Sequence, residues 1–121
     1  MMREEVANWW KQAEKDLKAA KDSFNTNNFD WASFQAQQAS EKALKALLIK
    51  SSGKFPKIHD LVRLGEKVGL PEKYLEKCKE LTLVYVYTRY PDVSKTINFK
   101  KDVGGYIKLA KEILEWVKAK L

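Results

Sequence analysis

The chain has 121 residues, enough for one domain around one core. Its 45% apolar and 32% charged content excludes a disordered chain, and no apolar run approaches the roughly 20 residues that span a bilayer. The opening Met1-Met2-Arg3-Glu4-Glu5 lacks the apolar heart of a signal peptide, so a cytoplasmic chain with no membrane partner is expected. The formal charge of +7 is unevenly spread: residues 1–24 hold five basic and five acidic side chains, whereas residues 93–121 hold seven lysines and three acids. A basic patch that could meet phosphate is one reading of that end, and a solvated lysine-rich surface is the other.

The first helix is predicted over Arg3 to Phe24. Val6, Trp9, Trp10, Ala13, Leu17, Ala20 and Phe24 recur at steps of three and four and form one apolar stripe, with Glu4, Lys11, Glu14, Lys15, Lys18 and Asp22 opposite. Asn25-Thr26-Asn27-Asn28 is rich in turn formers and reverses the chain. The second helix is predicted over Phe29 to Ser52, capped by Asn28 or Asp30. Its stripe of Ala32, Ala36, Ala39, Ala43 and Leu47 is mostly small, so a neighbouring helix can approach closely; Phe34, Leu44 and Leu48 widen it. Gly53 suits a left-handed C-cap.

Lys54 to Ile58 reads as a connector. A short third helix follows from Asp60 to Val68 and ends at Gly69; Pro71 opens a fourth, since proline favours the first turn. That helix is expected to reach Tyr90 and stop at Pro91, because the residue before a proline is pushed out of the helical region. Leu81 to Tyr87 is β-branched enough to pass for a strand, but helical spacing continues on both sides and no partner strand exists. Asp92 to Phe99 is read as a loop. The fifth helix is predicted over Lys101 to Lys120, with Val103, Tyr106, Ile107, Ala110, Ile113, Leu114, Val117 and Leu121 as its stripe. The expected fold is all-α: an up-and-down antiparallel bundle of four long helices plus one short one, in a single domain over residues 1–121.

The sites of ordinary enzyme chemistry are missing. One histidine and one cysteine, far apart, cannot build a zinc site within one chain, and Gly104-Gly105 lacks the lysine and hydroxyl of a phosphate loop. Metal-independent folding with no cofactor is expected. Cys78 cannot form an internal disulfide and is read as inert.

Two polar clusters remain. Gln38, Glu41 and Lys45 share a face of the second helix beside its alanine stripe; as an exposed pair, Glu41 and Lys45 would contribute about 0.3–0.5 kcal/mol. Arg89 falls on the apolar side of the fourth helix, at its end. A guanidinium there needs an anion: Glu41, Asp92 or a ligand phosphate would serve, and the alternative is a structural cap on the last carbonyls. Asp60 or His59 caps the third helix, and His59 is also the one acid/base candidate near neutral pH. Glu41, Lys45 and Arg89 are expected to converge between the second and fourth helices, with the Lys45 ammonium facing solvent.

The same segments resemble the HEPN domain family. The resemblance rests on Trp9-Trp10, Ala13, Asp16-Leu17 and Ala20; on the run from Phe34 through Gln37-Gln38-Ala39-Ser40-Glu41-Lys42 to Leu47; on Ile58-His59-Asp60-Leu61 with Leu64; and on Thr88-Arg89-Tyr90-Pro91-Asp92. It spans nearly the whole chain. It implies a helical homodimer, in prokaryotes often encoded beside a minimal nucleotidyltransferase, and in some members a toxin RNase whose motif is Arg, four to six residues, then His. Here Arg89 is followed by Tyr90-Pro91-Asp92-Val93-Ser94-Lys95-Thr96, and His59 lies upstream, so the motif is incomplete. What the resemblance implies is then the non-toxin branch: binding of a nucleotide or RNA, or partnership with a nucleotidyltransferase, with Glu41, Lys45, Arg89, Asp92 and His59 as candidate phosphate-binding residues and no catalytic residue. A metal-independent RNase using His59 and Arg89 and a purely structural adaptor are the alternatives. Trp31, Phe34, Tyr85, Tyr87 and Trp116 exceed what a small bundle hides, which also points to a dimer.

Overall fold

The structure, a computed structural model, describes residues 3–54, 57–58, 60–87 and 99–121, with residues 81, 83–87 and 99 described in the backbone alone. It is all-α, with no strand among the described residues. The helices are α1 (Glu4–Asn25), α2 (Phe29–Ser52), α3 (Leu61–Val68), α4 (Glu72–Tyr87) and α5 (Phe99–Lys118).

The predicted bounds of α2 hold to the residue, and α1 is displaced by one. Asp60 is the cap of α3: its carboxylate accepts from the Val62 and Arg63 backbone N–H groups at 3.0 and 3.3 Å. Gly53 and Gly69 take the left-handed conformation, φ 74° and 76°, that closes α2 and α3. The start of α2 differs from expectation. Asn28 occupies the cap position but makes no side-chain cap bond; its amide nitrogen donates instead to Thr26 Oγ1 at 2.9 Å, which stiffens the turn. Helix α5 begins at Phe99 rather than Lys101 and ends at Lys118 rather than Lys120. The expected stop at Pro91 and most of the loop after it lie outside the described residues.

Side-chain pairs set the direction of the helices. Ser23 meets Gln35 at 2.7 Å and Asp16 meets Lys42 at 2.7 Å, so α1 and α2 run antiparallel. At the other end of α2, Lys50 Nζ donates to the Lys120 and Leu121 carbonyls at 2.7 and 2.9 Å, tying the end of α2 to the end of α5. A Cβ at Gly104 of α5 would touch Phe24 of α1, which sets α5 antiparallel to α1. Helix α2 therefore lies at the centre, touching all the others.

The main core draws buried residues from all five helices. Its tightest part is alanine: Ala13 and Ala20 of α1 and Ala32, Ala36, Ala39 and Ala43 of α2 are fully buried. Around them Leu44, Leu61, Leu64, Leu109 and Ile113 fill the volume. A smaller cluster of Val6, Ala46 and Ile49 closes the end near Trp9 and Trp10. Burial pushes the Cys78 thiol up to about 12, which keeps it protonated and unreactive near neutral pH. No described helix is long and apolar enough to cross a membrane.

Gly65 is a point of close contact between α3 and α4. A Cβ there would stand 2.7 Å from Leu75 Cδ2 and 3.0 Å from Leu70 Cδ2, both on buried side chains. Gly65→Ala should lower stability by about 1–3 kcal/mol, the usual cost of overpacking, read as a lower urea midpoint with unchanged slope.

Candidate functional site

A polar line runs down the central helix. Ser33, Gln37, Glu41 and Lys45 follow one another at steps of four along α2, so they share a slowly turning face. Most of this line is closed to water. Ser33 is fully buried, and its Oγ has no hydrogen-bond partner among the described residues; the same holds for Gln37 Oε1. Ser40, beside the line, donates back to the Ala36 carbonyl at 3.0 Å, a local bond that a buried hydroxyl on a helix commonly adopts.

Glu41 and Lys45 form the charged part. Lys45 Nζ stands 3.4 Å from Glu41 Oε2, and Lys45 and Glu41 are only 2% and 5% exposed respectively. The ammonium also sits 5.5 Å from the centre of the Trp9 ring, close enough for cation–π attraction. Both charged groups have further contacts as well. This corrects two expectations. The pair is not an exposed helix pair, and the Lys45 ammonium does not face solvent. The physical reason is the placement of Trp9: α1 lies against α2 across small residues, which brings the indole over the lysine and shuts out water.

The geometry determines what the pair can do. Two opposite charges taken out of water must satisfy each other, because an isolated one would carry a desolvation penalty of several kcal/mol. Such a pair is seldom a net stabiliser relative to apolar side chains of the same volume. Its effect is to hold charge and direction at a fixed point in the core. Of the residues expected to join it, Arg89, Asp92 and His59 lie outside the described residues. Gln38, expected on the same face, is half-buried.

Sequence reasoning missed the contribution of α1. Asp16 Oδ2 pairs with Lys42 Nζ at 2.7 Å, with side chains 16% and 21% exposed, and Trp9 covers Lys45. A signal was present. Ser23–Gln35 and Asp16–Lys42 are both centred on Phe29, at the start of α2, as a tight antiparallel hairpin requires. Pairing residues across the Asn25–Asn28 turn would have brought Asp16 to Lys42. Among the described residues no group of three or more histidine, cysteine or acidic side chains could hold a metal ion.

The burial of Lys45 reverses the expected cost of removing it. Lys45→Ala should lower the unfolding free energy by about 3 kcal/mol, because it leaves the Glu41 carboxylate buried without its ammonium. Urea denaturation measures this; a change under about 0.5 kcal/mol would mean that the pair is open to water.

Comparison with known proteins agrees with this architecture. The family model for the HEPN domain matches residues 6–120. The crystal structure of TT1696 from Thermus thermophilus superposes with a TM-score of 0.83 at 32% identity, covering 98% of this chain and 100% of that one. The crystal structure of ST0689, an archaeal HEPN homologue, superposes with a TM-score of 0.76 at 32% identity, covering 99% of this chain and 98% of that one. No curated protein matches. With the family model spanning nearly all of α1 to α5, the chain belongs to the HEPN domain family.

Proposed function

We propose that this chain is a non-catalytic HEPN protein that acts as a helical homodimer and either binds a nucleotide or RNA or partners a nucleotidyltransferase. The observation that carries this reading is the buried Glu41–Lys45 pair on the central helix. Charges held in a core are poor stabilisers, and they concentrate where a protein needs a fixed electrostatic feature. The +7 formal charge favours an anionic partner. In this reading Lys45 does not touch the ligand. It fixes the Glu41 carboxylate; Arg89, Asp92 and His59, which lie outside the described residues, are the proposed phosphate-binding partners of Glu41. The structural adaptor is the second reading, and one observation favours it: Lys45 is closed in by Glu41 and Trp9, which leaves it fully engaged without any ligand. The RNase reading has no comparable support, because the histidine of the motif is absent after Arg89.

Dimerisation is supported by Trp31. It is the one large apolar side chain that is mostly exposed among the described residues, at 59%, and it packs edge-on against Phe34 with centroids 6.0 Å apart. An exposed tryptophan of this kind is a common interface anchor.

Two measurements test these readings. Calorimetric titration of ATP and of a short RNA should show binding to the wild type that weakens about tenfold or more in Arg89→Ala, while the melting temperature changes little. Equal binding by both, or by neither, would leave the adaptor. In sedimentation at micromolar concentration the wild type should run as a dimer and Trp31→Glu as a monomer. A wild type that is only monomeric would end the dimer proposal.

A further inference from the structure

A second surface stands apart from the polar line of α2. Between α1 and α5 lies an open groove of about 300 Å³, lined from α1 by Trp10, Leu17 and Lys18 and from α5 by Lys111 and Leu114. Glu14, Lys21, Glu115 and Lys118 complete its rim. The floor is apolar: Leu114 is buried, and Trp10 and Leu17 are half-buried against the core. The rim is charged, four lysines against two glutamates. The α1 residues of the groove extend from Trp10 to Lys21, about 17 Å at helical rise, or three turns.

We propose that this groove receives an acidic amphipathic helix of a partner protein. An apolar floor of about two turns, Trp10 to Leu17 with Leu114 opposite, between two antiparallel helices is the shape into which a third helix lays one stripe of anchors at positions i, i+3, i+4 and i+7. The excess of lysine on both walls selects acidic flanks on that helix, and Glu14 and Glu115 give a place for an occasional basic residue that sets register. Two other occupants fit less well. A phosphate needs donors converging on one point, whereas these ammonium groups are divided between two facing walls, Lys18 and Lys21 on one and Lys111 and Lys118, about 10 Å apart at helical rise, on the other. A second copy packed through this face by a two-fold axis would bring the same lysines against one another. The proposal uses a different face from the nucleotide reading and does not depend on it.

A synthetic amidated peptide of about 18 residues tests it, with leucine at the i, i+3, i+4, i+7 positions and glutamate on the flanks. Fluorescence anisotropy with the intact protein is the readout. Binding in roughly the tens of micromolar is expected at low salt, weakened about tenfold or more by Lys21→Glu with Lys111→Glu, and screened by about 0.5 M salt. Both lysines are exposed, so the variant should keep its fold and its helical circular dichroism. A scrambled peptide of the same composition controls for charge alone. The proposal fails if the scrambled peptide binds equally, if the double variant binds as the wild type does, or if no binding occurs. It also fails if the double variant converts a dimer to a monomer, because the occupant is then a second copy.

Discussion

The close approach of α1 to α2 is the constraint on which the rest of this structure depends. Five fully buried alanines of α2 and two of α1 leave little bulk between the helices. A helix pair drawn together by small residues gains dispersion along its whole length, and each neighbouring large side chain must then fit the space that remains. That space is taken by Leu44, Leu61, Leu64, Leu109 and Ile113, contributed by α2, α3 and α5. Helix α2 becomes the axis of the bundle because it is small or apolar around most of its circumference.

The same closeness explains the buried charges. With α1 held against α2, Trp9 covers Lys45, and Asp16 meets Lys42 at the edge of the seam. Spacing of four along α2 makes Glu41 and Lys45 neighbours in any helix; tertiary packing, with the Trp9 indole over Lys45, makes them a buried pair. Water exclusion then changes the meaning of the pair. In solvent it would contribute a few tenths of a kcal/mol, and in the core its integrity governs whether a charge is left unsatisfied. The Ser33 hydroxyl and the Gln37 carbonyl, without partners among the described residues, extend this polar line along the same helix.

Two further features lie on the described surface. Exposed Trp31 packs on half-buried Phe34 near the start of α2, and the α1/α5 groove combines an apolar floor with a lysine rim. The partners proposed for them differ: a second copy at the aromatic pair, and an acidic helix at the lysine-rimmed groove, whose excess positive charge disfavours a like surface.

Much of this was legible in the residues. The three-and-four periodicity, the turn residues at Asn25–Asn28, the cap at Asp60 and the glycines at 53 and 69 encode helices and their ends through local interactions, and local interactions are readable in order along the chain. The alanine stripe of α2 announced close packing for the same reason. The start of α5 was misjudged by two residues because helix ends are weakly specified by propensity. The burial of Lys45 was not legible. Trp9, thirty-six positions earlier, is among the neighbours that cover it, and nothing in the local sequence of α2 states which neighbours those are. The α1/α5 groove was equally hidden, since its walls come from opposite ends of the chain. Secondary structure, core stripes and net charge were determined by sequence alone. Which charges lose their water, and where two helix faces leave a gap, were decided only by tertiary packing, because desolvation depends on every neighbour at once.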